Sequence, residues 1–84
     1  MNVTFRQIRL FQALAETGSV TAAARAMHIT QPTASMQLKE VAQSVGLPLY
    51  EVIGKRVHLT EVGQELAATA RTITAAWESF EQQV

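Results

Sequence analysis

The 84-residue sequence predicts a mainly α-helical domain: a winged helix-turn-helix of three helices and a short β-hairpin, followed by one long helix. Three observations predict this fold class. Apolar residues recur at helical spacing in three segments of the first 46 residues. Two runs rich in β-branched residues then flank a glycine turn. From Thr60 onward the apolar spacing is helical again to the last residue.

The first two helices are predicted from their apolar spacing and their end signals. The first covers the segment from Thr4 to Thr17, and Gly18 supplies its C-terminal stop. Its apolar stripe consists of Phe5, Ile8, Phe11, Leu14 and Ala15. Ser19 is placed to cap a short, alanine-rich helix from Val20 to Met27. The positions expected to be buried there are Val20, Ala23, Ala24 and Met27.

The third helix follows a short turn at His28-Ile29. Thr30 is placed to cap it, and Pro32 lies in its first turn, where a missing N–H has no intrahelical acceptor to lose. Its apolar positions are Ala34, Leu38, Val41 and Val45, and Gly46 ends it. Because about three residues separate the second and third helices, the pair has the length of a helix-turn-helix.

The segment after Pro48 predicts a hairpin. Tyr50–Ile53 and Arg56–Leu59 are short runs suited to strands, and Gly54-Lys55 lies between them as the turn. A hairpin packed on a helix-turn-helix is a wing. Residues 1–60 are therefore predicted to form one winged helix-turn-helix domain.

Residues 61–84 are predicted to form a long dimerisation helix. Its apolar residues follow a heptad spacing: Leu66, Ala70, Ile73, Trp77, Phe80 and Val84. A domain this short has little surface with which to cover such a seam, so we expect the seam to pair with a second copy of the chain. The alternative is that the helix folds back onto its own core.

Composition excludes several classes of function. The sequence contains no cysteine and no aspartate and has only two histidines, so disulfides, thiol nucleophiles and a metal site are not expected. It carries no phosphate loop and no catalytic carboxylate pair, and we expect neither an enzyme nor a bound cofactor. Without an apolar run long enough to span a bilayer or a secretion signal, a cytoplasmic location is expected.

The net charge is zero, but the charges are unevenly distributed. Residues 1–60 contain six basic and three acidic residues, whereas residues 61–84 contain one basic and four acidic residues. A polyanion would therefore be attracted to the first part of the chain and repelled by the second.

The start of the third helix offers polar side chains of the kind that reach base edges in the major groove. They are Thr30, Gln31, Thr33, Ser35, Met36 and Gln37, and the two glutamines have the geometry to pair with adenine. Lys55 and Arg56 in the wing are candidates for contacts with phosphates or a narrow minor groove. The alternative is an ordinary solvated helix face and a hairpin whose charges only maintain solubility.

The run from Ala22 to Gln37 resembles the helix-turn-helix of LysR-type transcriptional regulators. Gly46–Glu51 and Leu59–Gly63 are similar to the wing and the start of the linker helix in the same family. The segments Thr30–Gln37 and Val45–Glu51 also resemble the subgroup that regulates carbon-fixation operons. The resemblance covers essentially the whole chain. Three positions depart from the family's pattern. The family often has arginine at the position of Met36 and glutamate at the position of Ala42. At the position of Ala22 it often has a larger polar residue.

The resemblance implies the DNA-binding domain of a bacterial regulator that acts as a homodimer through its linker helix. It adds Pro32 to the DNA-facing positions. The predicted dimer interface follows from the heptad seam and consists of Leu66, Ala70, Ile73, Trp77 and Phe80. Family members are longer, and they carry an effector domain that binds a small molecule. The chain is therefore interpreted as a fragment of a regulator that is tetrameric at full length. The alternative function is a winged-helix module that binds a protein instead of specific DNA.

Overall fold

The computed structural model describes all 84 residues and contains four helices and one two-stranded antiparallel sheet. In chain order the elements are α1 (Phe5–Thr17), α2 (Val20–Ala26), α3 (Gln31–Val45), β1 (Tyr50–Ile53), β2 (Arg56–Leu59) and α4 (Glu61–Gln83). This architecture confirms the predicted fold class. None of the helices combines the length and the hydropathy needed to cross a bilayer.

Side-chain caps define where each helix begins. The hydroxyl of Thr4 accepts a hydrogen bond from the Gln7 backbone N–H, and the Gln7 side chain accepts one from the Thr4 N–H, which completes a capping box. Ser19, Thr30 and Thr60 cap α2, α3 and α4 through their hydroxyls. These caps agree with the sequence-based predictions for α2 and α3.

The core lies where α1, α2 and α3 meet the first half of α4. Its fully buried large side chains are Leu10, Phe11, Leu14, Leu38, Val41 and Leu49. Buried alanines complete the contacts between helices: Ala23, Ala24, Ala34, Ala67 and Ala70. Small side chains at these crossings allow the helix backbones to approach closely, and Ala23 and Ala24 are buried as predicted.

The buried face of α1 differs from the predicted stripe. Leu10 and Gln7 are buried although neither was assigned to the stripe, whereas Phe5 is exposed. The reason is that α1 packs against α2 and α3 as well as against α4. A helix with neighbours on several sides buries a wider arc than one apolar stripe indicates.

The wing is a tight hairpin with two residues in its turn. Ile53 pairs with Arg56, so that only Gly54 and Lys55 connect the strands. Both turn residues have positive φ, 55° and 71°, as a type I′ turn requires. The backbone N–H of Val57 donates to the carbonyl of Gly18 at 3.1 Å, which attaches the wing to the corner between α1 and α2.

The start of α4 is fixed to the segment that precedes the wing. The Thr60 hydroxyl donates to the carbonyl of Pro48 at 2.8 Å, and the Thr60 N–H donates to the carbonyl of Leu49 at 3.0 Å. Gly63 is buried directly against Leu49, and a Cβ atom at that position would overlap the Leu49 carbonyl oxygen. The absence of a side chain at Gly63 is therefore what allows α4 to approach so closely.

Candidate nucleic-acid interface

The first turns of α3 are held on the domain surface by the buried side of the same helix. Ala34 and Leu38 anchor α3 in the core. On the remaining arc, Thr30, Gln31, Pro32 and Met36 are exposed, and Thr33, Ser35 and Gln37 are half-buried. All seven predicted positions therefore lie outside the core at the start of this helix, with Ser35 on the side of the wing and Gln37 on the side of α1.

Two hydrogen bonds organise the exposed side of this region. The Thr30 hydroxyl donates to the Thr33 hydroxyl at 2.9 Å, next to the helix cap. The Gln31 Nε2 atom donates to the Ser35 Oγ atom at 3.1 Å, one helical turn further on. Because Nε2 carries a second hydrogen and Oε1 has no partner in the chain, Gln31 retains the donor and acceptor pair that adenine requires.

Gln37 is held differently, by a side chain of α1. The Gln7 Nε2 atom donates to the Gln37 Oε1 atom at 2.7 Å and to the Glu40 Oε2 atom at 3.1 Å. The Gln37 oxygen, which bidentate pairing with adenine would use, is thus directed toward Gln7. Gln7 was not among the predicted site residues. The only signal was the Thr4-x-x-Gln7 capping box, which indicates a helix start and not a buried side chain.

The predicted wing residues form a separate surface. Lys55 and Arg56 are both exposed at the hairpin tip, and the sheet next to them exposes Val52 and Ile53. Between the wing and α3 runs a groove of about 430 Å³ whose lining includes Ser35, Lys39, Ala42, Tyr50 and Val52. Burial raises the pKa of the Tyr50 phenol above its ordinary value.

The predicted dimer seam of α4 has one part that is buried within the domain and one part that is exposed. Leu66 packs against the core and Ala70 is fully buried in it, so the prediction that Ala70 lies between two chains is corrected. The physical reason is that α4 packs against α1, so that this part of the seam lies inside the domain. Ile73 is half-buried. Trp77 and Phe80 remain 48% and 51% exposed.

An aromatic cluster forms at the exposed end of this seam. The Trp77 ring lies edge-on to Phe5 of α1 at a centroid distance of 6.1 Å and packs against Phe80 at 5.5 Å. Phe5 was predicted to belong to the apolar stripe of α1, and it instead extends the exposed patch of α4. No group of three or more His, Asp or Glu side chains in the domain converges in a way that would hold a metal ion.

The family of the chain follows from a direct match. The family model described as "Bacterial regulatory helix-turn-helix protein, lysR family" matches residues 5–64. The chain belongs to the LysR family. The matched range begins with α1 and ends four residues into α4, so it contains α3 and the whole wing.

Relatives and solved structures in this LysR family are similar over nearly the whole chain. The transcriptional activator CmpR of Synechocystis sp. is 41% identical over 81 residues, which cover 96% of the chain and 27% of CmpR. A RuBisCO operon transcriptional regulator of Allochromatium vinosum is 40% identical, with 98% and 27% covered. The crystal structure of a CbnR_DBD-DNA complex matches with a TM-score of 0.85 and 32% identity, with 96% and 94% covered. The chain thus spans about a quarter of the length of these curated relatives.

Proposed function

We propose that the chain is the sequence-specific DNA-binding domain of a LysR-type transcriptional regulator. In this proposal α3 enters the major groove, the wing contacts the flanking backbone or minor groove, and a dimer binds a pseudo-palindromic operator. The observation that carries the proposal is the polar start of α3, which the core holds at the surface of a helix-turn-helix. The similar CbnR_DBD structure, which contains DNA, supports it.

Gln31 and Ser35 are the proposed base-reading pair. The Ser35 oxygen accepts from Gln31, so the Ser35 hydroxyl hydrogen is free to donate to a base or a phosphate. Gln31 retains an unpartnered oxygen and one unused N–H, which together match the N6 and N7 atoms of adenine.

Replacing Gln31 or Ser35 with alanine is expected to weaken binding to the specific operator by about 1–3 kcal/mol and to change binding to random DNA little. The loss is selective because base contacts distinguish sequences, whereas phosphate contacts do not. Fluorescence anisotropy with the two kinds of duplex measures both affinities. Gln43→Ala, at an exposed position near the end of the same helix, is the matched control and is expected to bind normally. Equal losses of affinity on both duplexes would instead show that Gln31 and Ser35 contact phosphates.

Changing Lys55 and Arg56 together to alanine is expected to weaken binding to specific and random DNA alike. Each lost phosphate contact lowers the slope of log affinity against log salt by about one unit, because fewer counterions are released. A titration of affinity against salt concentration measures this slope. Arg71→Ala, which removes a positive charge from α4, is the control and is expected to leave the slope unchanged. If the double variant bound every duplex with unchanged affinity, the wing would not be part of the DNA interface.

The second candidate function is a winged-helix module that binds a protein through the wing and α3. The exposed apolar side chains Val52 and Ile53 beside the wing tip favour it, because such side chains are typical of protein interfaces. The same salt titration separates the two functions. Binding to DNA weakens steeply with salt, whereas contact through an apolar surface does not.

The complete regulator is proposed to extend beyond this domain, since the chain spans only about a quarter of its curated relatives. We propose that the additional sequence carries the domain that binds a small-molecule effector, that the full-length protein is a tetramer, and that it acts in the cytoplasm. The similarity to a RuBisCO operon regulator agrees with the resemblance to regulators of carbon-fixation operons.

A further inference from the structure

Gln7 is the only buried polar side chain of the domain and is 7% exposed. Its Oε1 atom accepts from the Thr4 backbone N–H at 3.0 Å, and its Nε2 atom donates to Gln37 and to Glu40. A primary amide has one acceptor oxygen and two donor hydrogens. Each of these groups in Gln7 therefore has a partner of its own, and the side chain connects α1 to the recognition helix.

This bonding pattern determines which end of the Gln37 amide is available. A backbone N–H can only donate, so Thr4 determines that the oxygen of Gln7 faces the helix cap and that its nitrogen faces α3. Because Nε2 of Gln7 only donates, Gln37 must present its oxygen to it. The Glu40 carboxylate accepts the second hydrogen and favours the same arrangement. The NH₂ group of Gln37 is left for an external partner.

We infer that Gln7 is a positioning residue that holds Gln37 as a hydrogen-bond donor toward a base of the operator. The inference rests on the proposed function, because it requires α3 to lie in the major groove. There a single donor matches guanine, which offers N7 and O6, thymine, which offers O4, or the N7 atom of adenine. Cytosine presents an amino group instead, so a donor at Gln37 disfavours cytosine, and adenine can be contacted only through its N7 atom while the Gln37 oxygen faces Gln7. Gln7 therefore selects bases without contacting DNA.

The sharpest test reverses the Gln37 amide. In Gln7→Glu the carboxylate still accepts from the Thr4 N–H, and glutamate is a usual residue at this position of a capping box, so the helix start is preserved. The second carboxylate oxygen then requires Gln37 to turn its NH₂ group inward and its oxygen outward. Combining this change with Glu40→Gln removes the repulsion between two neighbouring carboxylates.

The experiment selects duplexes from a randomised library with the 84-residue chain. Gln37→Ala is expected to lose base preference at one position, which identifies the base that Gln37 contacts. At that position the variant Gln7→Glu/Glu40→Gln is expected to disfavour guanine and thymine, which present only acceptors, and to gain binding to cytosine, whose amino group can donate to the outward Gln37 oxygen. Individual duplexes should change in affinity by about threefold to tenfold, the equivalent of one hydrogen bond. Glu40→Gln alone is the matched control and should keep the original preference.

A second variant covers the case in which the glutamate variant does not fold, as judged by circular dichroism. Gln7→Met has a similar length but no hydrogen bonds, so Gln37 becomes free to rotate and the preference at its position should broaden. Unchanged preferences in the folded Gln7 variants overturn the inference. The inference also fails if Gln37→Ala keeps its base preference at every position. It fails likewise if the Gln7 variants still change the base preference when residue 37 is alanine. If the unmodified chain enriches no sequence at all, the proposed function fails instead.

Discussion

Replacing Gly63 with alanine is expected to destabilise the domain by about 2–3 kcal/mol, although alanine is the better helix former. The added methyl group would overlap the carbonyl oxygen of Leu49. That carbonyl cannot move away without cost, because it accepts the hydrogen bond from the Thr60 N–H that fixes the start of α4. In a domain of this size the melting temperature should fall by about 10–20 °C, which circular dichroism would measure.

Gln64→Ala is the matched control for this change. Gln64 is the next residue of α4 and is exposed, so the change should alter the unfolding free energy by no more than about 0.5 kcal/mol. If contact with Leu49 were unimportant, helix propensity alone would make Gly63→Ala stabilising by about 1 kcal/mol. The two explanations therefore predict opposite signs, and a rise in melting temperature would refute the packing argument.

The second large effect is expected at the exposed end of α4. The cluster of Trp77, Phe80 and Phe5 leaves about half of two aromatic side chains in water. In the proposed dimer a second copy covers this cluster. Trp77→Ala or Ile73→Glu should therefore give monomers, and the affinity for an operator with two half-sites should fall about 100-fold or more, because the half-sites are no longer bound together.

Sedimentation equilibrium at micromolar concentration measures the dimer directly. The unmodified chain is expected at twice the chain mass of 9.2 kDa. Ala75→Glu introduces the same charge on the opposite, exposed face of α4 and should remain dimeric. An unmodified chain that sediments as a monomer would contradict both the dimer and the half-site arrangement.

The fold was largely predictable because its signals are local. Caps at Ser19 and Thr30, stops at Gly18 and Gly46, and the Gly54-Lys55 turn each act within a few residues of the chain. Such signals are visible in sequence because the interacting groups are neighbours along the backbone.

What sequence analysis missed depends on contacts between distant segments. The burial of Gln7 is possible because Gln37 and Glu40 of α3 accept hydrogen bonds from its Nε2 atom. The periodicity of apolar residues in the sequence does not indicate that pairing. Ala70 was assigned to the contact between chains because its spacing continues the heptad seam, whereas in the folded chain α4 packs against α1 and Ala70 lies inside the domain. Spacing shows which face of a helix is apolar, but the packing of the whole domain decides what covers that face.

The attachment of α4 to the rest of the domain has a mechanical consequence. Its 23 residues form a rod about 35 Å long, and the contacts of Thr60 and Gly63 with Pro48 and Leu49 fix the start of this rod to the segment that joins α3 to the wing. In the proposed dimer, a change of about 5° in the direction of this rod displaces its far end by about 3 Å, close to the rise of one base pair. Any event that alters the crossing angle of two such rods therefore changes the operator spacing that the dimer fits.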